Sequence, residues 1–188
     1  MNLSKTSLRK KFLLQRKKRD VMSHKFNFNL LLKLIKKKFK KKVINIAAYY
    51  PVDNEVNVLN FFEKIAYKKF KILLPVIKSS KIMNFKSWIF KEPLYVNSFG
   101  ILEPKNKNRD LIPDVILVPL VAFDSKLNRI GYGRGYYDRK LTKIKNKNTN
   151  IISIGLAYSF QKCLSIPTNK HDFKLDYIFT DRGIISSN

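Results

Sequence analysis

Cysteine is almost absent from this chain. Cys163 stands alone among 188 residues, which excludes an internal disulfide and any cysteine-based zinc cluster and predicts a reducing compartment. Acids are also scarce, with 13 Asp and Glu against 39 Lys and Arg, a net charge of +26. Long apolar runs are missing: no window approaches the length needed to span a bilayer. Met1 to Asp20 is basic and lacks the apolar core of a signal peptide, so a soluble, cytoplasmic protein without a membrane partner is expected. What is present is ordinary for a globular protein. Hydrophobic residues make up 45% and aromatic residues 13%, which excludes disorder and predicts a single domain over residues 1–188.

The positive charge invites a nucleic-acid reading, with Lys36 to Lys42 and Lys143 to Asn150 as its footprint. The chain is equally crowded with Asn, Ile, Phe and Tyr, the joint enrichment an AT-rich coding bias produces. No helix-turn-helix, zinc-finger or RNP-like pattern accompanies the lysines, so no specific nucleic acid is expected. A basic RNA- or nucleotide-binding protein without catalytic activity stands as the alternative.

Glycine is rare too, yet three of the six fall at alternate positions in Gly131-Tyr132-Gly133-Arg134-Gly135-Tyr136-Tyr137-Asp138-Arg139. A hydrophobic run, Val115 to Pro119, lies upstream, and a helix begins after Tyr136. Strand, glycine-rich loop and helix start present backbone N–H groups to an anion. Arg129, Arg134 and Arg139 bracket the loop with guanidinium groups suited to phosphate, and Asp138 offers oxygen to a hard cation. The motif is neither the phosphate loop ending in Gly-Lys-Ser/Thr nor the dinucleotide GxGxxG fingerprint. Read without context it is also compatible with a tight turn flanked by packing tyrosines.

Ser4 to about Met22 is predicted helical, with Ser4 as N-cap and Leu8 and Phe12 on one face. Lys5, Arg9 and Arg16 project from one side, as a solvated basic face or a phosphate clamp. A second helix covers Asn29 to Lys41. Val43 to Tyr50 reads as a buried strand, followed by the turn Asp53-Asn54-Glu55 and a helix carrying Phe62 and Ile65. Glu55 is either a ligand group at a strand's carboxyl end or a helix-capping acid. Further strands are predicted at Lys71–Val76, Ile82–Ile89 (edge or antiparallel), Asp114–Pro119, Ile151–Ala157 and, as the last, Tyr177–Phe179. Lys105 to Asp110 is an exposed polar loop. If residues 171–176 were helical, Asp172 and Asp176 would share a face. The alternation of strands and helices gives an α/β fold with a largely parallel sheet.

Together these pieces resemble the 5-formyltetrahydrofolate cyclo-ligase family. The resemblance runs through Lys5 to Arg9 (K-x-x-L-R), Tyr50-Pro51 to Glu55, Gly100 to Pro104, the block from Asp114 to Leu141, Ile154 to Ala157 with Gln161, His171-Asp172 and Thr180-Asp181. The specific part is PLVAFDSKLNRIGYGRGYYDRKL. It implies a three-layer α/β/α domain in which ATP and Mg²⁺ close 5-formyltetrahydrofolate to 5,10-methenyltetrahydrofolate, chemistry that needs positioning and charge neutralisation more than a covalent nucleophile. By the same resemblance ATP is bound by Lys5, Arg9, Arg129, Ile130, Gly131, Tyr132, Gly133, Arg134, Gly135, Tyr136 and Tyr137. Folate is bound by Tyr50, Glu55, Tyr136 and Tyr137, and Mg²⁺ by Asp138 and Asp172. Arg134 and Tyr136 take catalytic roles, although Arg134 stands where relatives carry small or basic residues. The partners are then small molecules, acting on a monomer.

Overall fold

The computed structural model describes residues 4–40, 43–66, 69–105, 109–147 and 150–187. The ends of the two lysine-rich runs (Lys41 and Lys42, Asn148 and Thr149) and Asn106 to Asn108 of the polar loop lie outside these residues. In chain order the elements are α1 (Lys5–Lys18), α2 (Phe28–Lys38), β1 (Ile44–Ala47), α3 (Leu59–Ile65), β2 (Phe70–Ile77) and β3 (Met83–Trp88). Then come β4 (Tyr95–Val96), β5 (Leu102–Glu103), β6 (Val115–Pro119), β7 (Ala122–Phe123), β8 (Arg129–Ile130), α4 (Tyr136–Lys147), β9 (Ile152–Leu156), β10 (Tyr177–Thr180) and β11 (Gly183–Ser186).

Seven strands form the main sheet in the order β11-β10-β9-β6-β1-β2-β3. Strands β10, β9, β6, β1 and β2 pair in parallel, and β11 and β3 close the two edges antiparallel. The parallel strands are apolar on both faces, as burial between two helical layers requires. Their side chains alternate cleanly: Ile44, Ile46, Ile72, Leu74, Val115, Leu117, Ile154 and Leu156 pack with α2 and α3. Ala47, Leu73, Ile116, Val118 and Ile178 turn to the opposite face, where Leu141 and Ile144 of α4 cover them. That is the three-layer α/β arrangement expected from the sequence.

Helix α1 stands apart from both layers. Ser4 caps it, its hydroxyl accepting the Ser7 N–H at 3.2 Å, and Leu8 and Phe12 pack on the small β7–β8 hairpin. The helix stops at Lys18 rather than Met22, and a 3₁₀ turn, Val21–Ser23, begins where Asp20 caps Met22. α2 shows an apolar stripe at Phe28, Leu31, Leu32 and Ile35, the spacing of one helical face.

Three other expectations are corrected. Tyr177 to Phe179 is not the last strand, because β11 folds back on β10. The connection Ala122-Phe123-Asp124 forms half of a hairpin, so the glycine loop follows β8 and not β6 directly. Residues 171–176 are not helical, and Asp172 and Asp176 serve different places: Asp176 binds the Ser153 N–H at 2.8 Å while Asp172 faces Lys5.

Candidate active site

Strand order reverses between β1 and β6, since β1 leads on to β2 on one side and β6 to β9 and β10 on the other. In open parallel sheets the crevice beyond the strands' carboxyl ends at such a point is where ligands bind. The segment after β1 carries Tyr49, Tyr50 and Glu55, and the chain after β6 runs through the hairpin into residues 131–135 and α4. The two stretches singled out in the sequence therefore meet at the switch point. Gly133 and Gly135 have φ of +101° and +64°, conformations an L side chain strains to adopt, which is why the loop needs glycine there.

Around the loop the side chains fall into three groups. The first is an acid–cation cluster. Arg129, almost fully buried, donates to Asp138 Oδ1 at 2.7 Å and to the Phe173 carbonyl at 2.7 Å. The same Asp138 oxygen accepts the Phe173 N–H at 3.1 Å, which ties the segment carrying Asp172 to the start of α4. Burial pulls the Arg129 guanidinium below its usual range, and the Asp138 carboxylate opposes that shift. Lys5 pairs with Asp172, whose Oδ2 also accepts the Asn169 N–H at 2.7 Å. Arg9 donates through Nε to the Gly131 carbonyl at 2.8 Å, and its guanidinium lies alongside Gly133, where a Cβ would meet it at 3.5 Å. Lys5 and Arg9 are thus docked on the loop and not solvated. Asp138 serves as an ion-pair partner instead of capping its helix.

The second group is a cluster of tyrosines around Glu55. Glu55 is 7% exposed and accepts the Val52 N–H at 3.1 Å. Burial raises its carboxyl above the usual range, partly offset by the neighbouring Tyr132 hydroxyl, the Val52 N–H and the Arg16 guanidinium. It does not cap α3: Val58 holds that position, and Asn57 accepts the Leu59 N–H at 2.9 Å. Asp53 and Asn54 before it have φ of +46° and +60°, a strained turn held by the strand and its hydrogen bonds. Tyr49 donates to the Val56 carbonyl at 2.9 Å, and Tyr158 to the Glu55 carbonyl at 3.3 Å. Tyr137 Oη is buried without a hydrogen-bond partner among the described residues. Burial pushes its phenol upward, as does the Glu55 carboxylate, against the pull of Arg129. That hydroxyl lies within the fields of both clusters. Tyr50 meets the edge of Trp88, centroids 6.5 Å apart, and Trp88 packs with Phe62 and Phe90 as a core residue.

The third group forms the outer rim. Tyr136 donates to the Ser79 carbonyl at 3.2 Å, and Arg139 to those of Lys81 and Arg134 at 3.3 and 2.9 Å. Arg134 is turned outward, its guanidinium 4.4 Å from the Phe99 ring centroid. The loop is therefore stapled to the β2–β3 turn and the β4–β5 hairpin. Ile130 is buried in the hairpin, below the loop and not on its open side.

Arg16 was the residue spacing alone left undecided. It is 2% exposed and donates to Tyr132 Oη at 2.5 Å, away from the acid–cation cluster. Its position four residues after Phe12 continues the Leu8–Phe12 stripe, and that was the available signal.

The sequence model of the 5-formyltetrahydrofolate cyclo-ligase family matches residues 2–181. The chain belongs to that family. It is 32% identical to the 5-formyltetrahydrofolate cyclo-ligase of Mycoplasma genitalium, over 94% of this chain and 97% of that one. The Haemophilus influenzae enzyme of that name is 35% identical, over 72% of this chain and 75% of its own length. Among solved structures, the Aquifex aeolicus 5,10-methenyltetrahydrofolate synthetase superposes with a TM-score of 0.75 at 29% identity, covering 98% of this chain and 93% of that one. Membership of the cyclo-ligase family makes the protein a ligase acting on 5-formyltetrahydrofolate and decides against a basic binding protein without that activity. Among the described residues, no helix is long and apolar enough to cross a membrane.

Proposed function

We propose that this cyclo-ligase consumes ATP, with Mg²⁺, to close 5-formyltetrahydrofolate to 5,10-methenyltetrahydrofolate, releasing ADP and phosphate. A formamide oxygen is a poor leaving group. Attack of that oxygen on the γ-phosphorus expels ADP and leaves an imidate-like phosphate. N10 then attacks the former formyl carbon, the C–O bond breaks, phosphate departs, and the N10 proton is lost as the amidinium forms. Such chemistry asks for positioning and charge neutralisation and needs no protein nucleophile.

The observation that carries this reading is the loop's place between two unlike clusters at the sheet's switch point. On one side, Lys5, Arg9 and Arg129 gather cations beside backbone suited to phosphates. On the other, Glu55 and the Tyr137 hydroxyl, unpartnered among the described residues, offer an acceptor and a donor for a polar heterocycle such as a pterin, beside Tyr50. Arg134 and Tyr136 act from the rim, Arg134 on the charge that migrates in phosphoryl transfer and Tyr136 at the border of the folate. Asp138 and Asp172 fit a hard cation, because each uses one oxygen on the protein and leaves the other without a hydrogen bond among the described residues. Mg²⁺ held there supplies charge neutralisation at the phosphates.

The test is absorbance of the conjugated amidinium, which the substrate lacks, during incubation with ATP, Mg²⁺ and 5-formyltetrahydrofolate. A rise requiring both ATP and Mg²⁺ is expected. A folded protein that binds ATP and gives no rise would refute the proposal.

A further inference from the structure

The lysine-rich ends of α2 and α4 take no part in the candidate active site, yet the fold brings them together. α2 packs on one face of the sheet and α4 on the other, and each ends where a parallel strand begins, β1 after α2 and β9 after α4. A cavity of about 710 Å³ at this amino edge is lined from both runs, by Lys38, Phe39 and Lys40 and by Lys145, together with Asp176 and Tyr177. α4 starts at the glycine loop and is 12 residues long, so the cavity lies about 18 Å away, at the end of the sheet opposite the candidate active site. Lys36, Lys37, Lys40, Lys143 and Lys147 are exposed and make no ion pair or hydrogen bond among the described residues. The acids of the cavity are tied to the sheet: Asp114 accepts the Asn45 N–H at 3.0 Å, and Asp176 accepts the Ser153 N–H and hydroxyl at 2.8 Å each. These two carboxylates and two helix carboxyl ends offset about three of the seven positive charges between Lys36 and Lys40 and between Lys143 and Lys147. A composition bias scatters lysine over a surface; it does not gather two runs more than a hundred positions apart around one cavity.

We propose that this cavity and its lysine rim bind single-stranded RNA without sequence preference, its phosphates on the lysines and one base against Tyr177. The uncompensated positive rim calls for a polyanion. The cavity's volume is that of a site for one small ligand, room for a single unstacked nucleotide and not for a duplex. Phe39 and Tyr177 are half-buried in its wall, and Lys38 Nζ lies 5.9 Å from the Tyr177 ring centroid, so cation and aromatic face sit side by side. A positive groove with aromatic surface is how single strands are held without readout of their bases. The proposal is independent of the ligase chemistry at the other end of the sheet.

The experiment measures fluorescence anisotropy of a labelled single-stranded RNA of about ten nucleotides against salt concentration, with the full chain. The variants are a rim quadruple, K36Q/K37Q/K40Q/K147Q, an equally charged control on α1, K10Q/K11Q/K17Q/K18Q, and Tyr177→Leu. The rim variant should lose about tenfold or more in affinity, and its slope of log affinity against log salt should shrink by about 0.7 for each phosphate contact removed. The α1 control should keep the wild-type slope. Tyr177→Leu should weaken binding about fivefold or more with the slope kept, the mark of lost stacking. The rim lysines are exposed, so that variant reports even if Tyr177→Leu does not fold. Turnover of 5-formyltetrahydrofolate should be unchanged in the rim variant, and saturating ATP should not displace the RNA. Equal losses in the rim and α1 variants would reduce the effect to diffuse net charge and overturn the proposal. Displacement by ATP would move the RNA to the glycine loop and overturn it too. So would equal affinity for a duplex of the same length, or stronger binding to phosphatidylglycerol vesicles than to the RNA.

Discussion

Arg129 and Asp138 form an ion pair that supports the fold and, as proposed above, also serves the chemistry, and two substitutions separate the two roles. Arg129 is buried, and its bonds to Asp138 and to the Phe173 carbonyl are each 2.7 Å long, the first of them charge-assisted. Replacing it with Met keeps the volume but strands the Phe173 carbonyl and removes the partner of Asp138. Breaking a buried pair from one side costs about 3–5 kcal/mol. The Asp138 side chain is 29% exposed and can recover some solvation, which places the expected loss near the lower end, about 3 kcal/mol. Asp138→Asn behaves differently. Its amide oxygen still accepts from Arg129 and from the Phe173 N–H, so charge assistance is lost and the two bonds remain, a cost of about 1–2 kcal/mol. The carboxylate proposed for Mg²⁺ is nevertheless gone. Urea unfolding followed by circular dichroism reads the first quantity, and ATP-dependent formation of the amidinium reads the second. R129M should be strongly destabilised. D138N should remain folded at 25 °C with turnover reduced by at least about a hundredfold, the scale on which removing one preorganised electrostatic group acts. If D138N turns over normally, Asp138 has only a structural role. If R129M unfolds within about 1 kcal/mol of the wild type, the burial argument for the ion pair is wrong.

Other perturbations test separate links. Glu55 has a carboxyl raised by burial, so its contribution to stability is fully present below the unfolded-state carboxyl range and lost as pH rises through the higher folded-state value. The stability of wild type relative to E55Q, read by thermal melts, should therefore decline from acid to neutral pH; a flat difference would refute the shift. A Cβ at Gly155 would lie 2.6 Å from Leu120 Cδ2 and 2.7 Å from Leu175 and Ile178 methyls, so Gly155→Ala should cost about 1–3 kcal/mol in urea. Gly133→Ala meets the Arg9 guanidinium only at ordinary contact distance, and its penalty of about 1–2 kcal/mol comes from φ. It should raise the ATP KM more than the folate KM in steady-state assays.

The framework was legible because two simple periods carry it. Apolar alternation in Ile44 to Ala47 and Val115 to Val118 marks strands buried on both faces, and the stripe Phe28, Leu31, Leu32, Ile35 marks a helix packed on one. β7 and β8 are two residues each, too short for any period to register. β11 is half-exposed with an Ile-Ile pair pointing to opposite sides, so its burial comes from pairing with β10 and is invisible locally. Spacing suggested that Asp172 and Asp176 share a face, but the segment after Pro167 is irregular and long-range partners decide each carboxylate. In the candidate site, the glycine loop and Glu55 were legible from residue type and order. The partner of each side chain was not, because the Lys5–Asp172 and Arg16–Tyr132 pairs join residues more than a hundred positions apart.

Those long-range pairs explain how α1 can belong to the site at all. Its own apolar contribution is small, Leu8 and Phe12 against the hairpin, and the rest of the helix is basic. What holds it is a row of three cations, each with a different partner: Lys5 on Asp172, Arg9 on the Gly131 carbonyl and Arg16 on Tyr132. At 1.5 Å per residue, the row from Lys5 to Arg16 spans about 16 Å, enough to run from the acid–cation cluster to the Glu55 cluster. One rigid helix thus touches both halves of the proposed site. A phosphate group drawing Lys5 away from Asp172 would free that carboxylate for a metal ion, while the hairpin contacts keep the helix seated. Because Arg9 and Arg16 lie on the same rod, movement at one end would reach Tyr132 and Glu55 at the other. Nucleotide and folate affinities are then expected to be coupled, and by thermodynamic linkage the coupling must be equal in both directions.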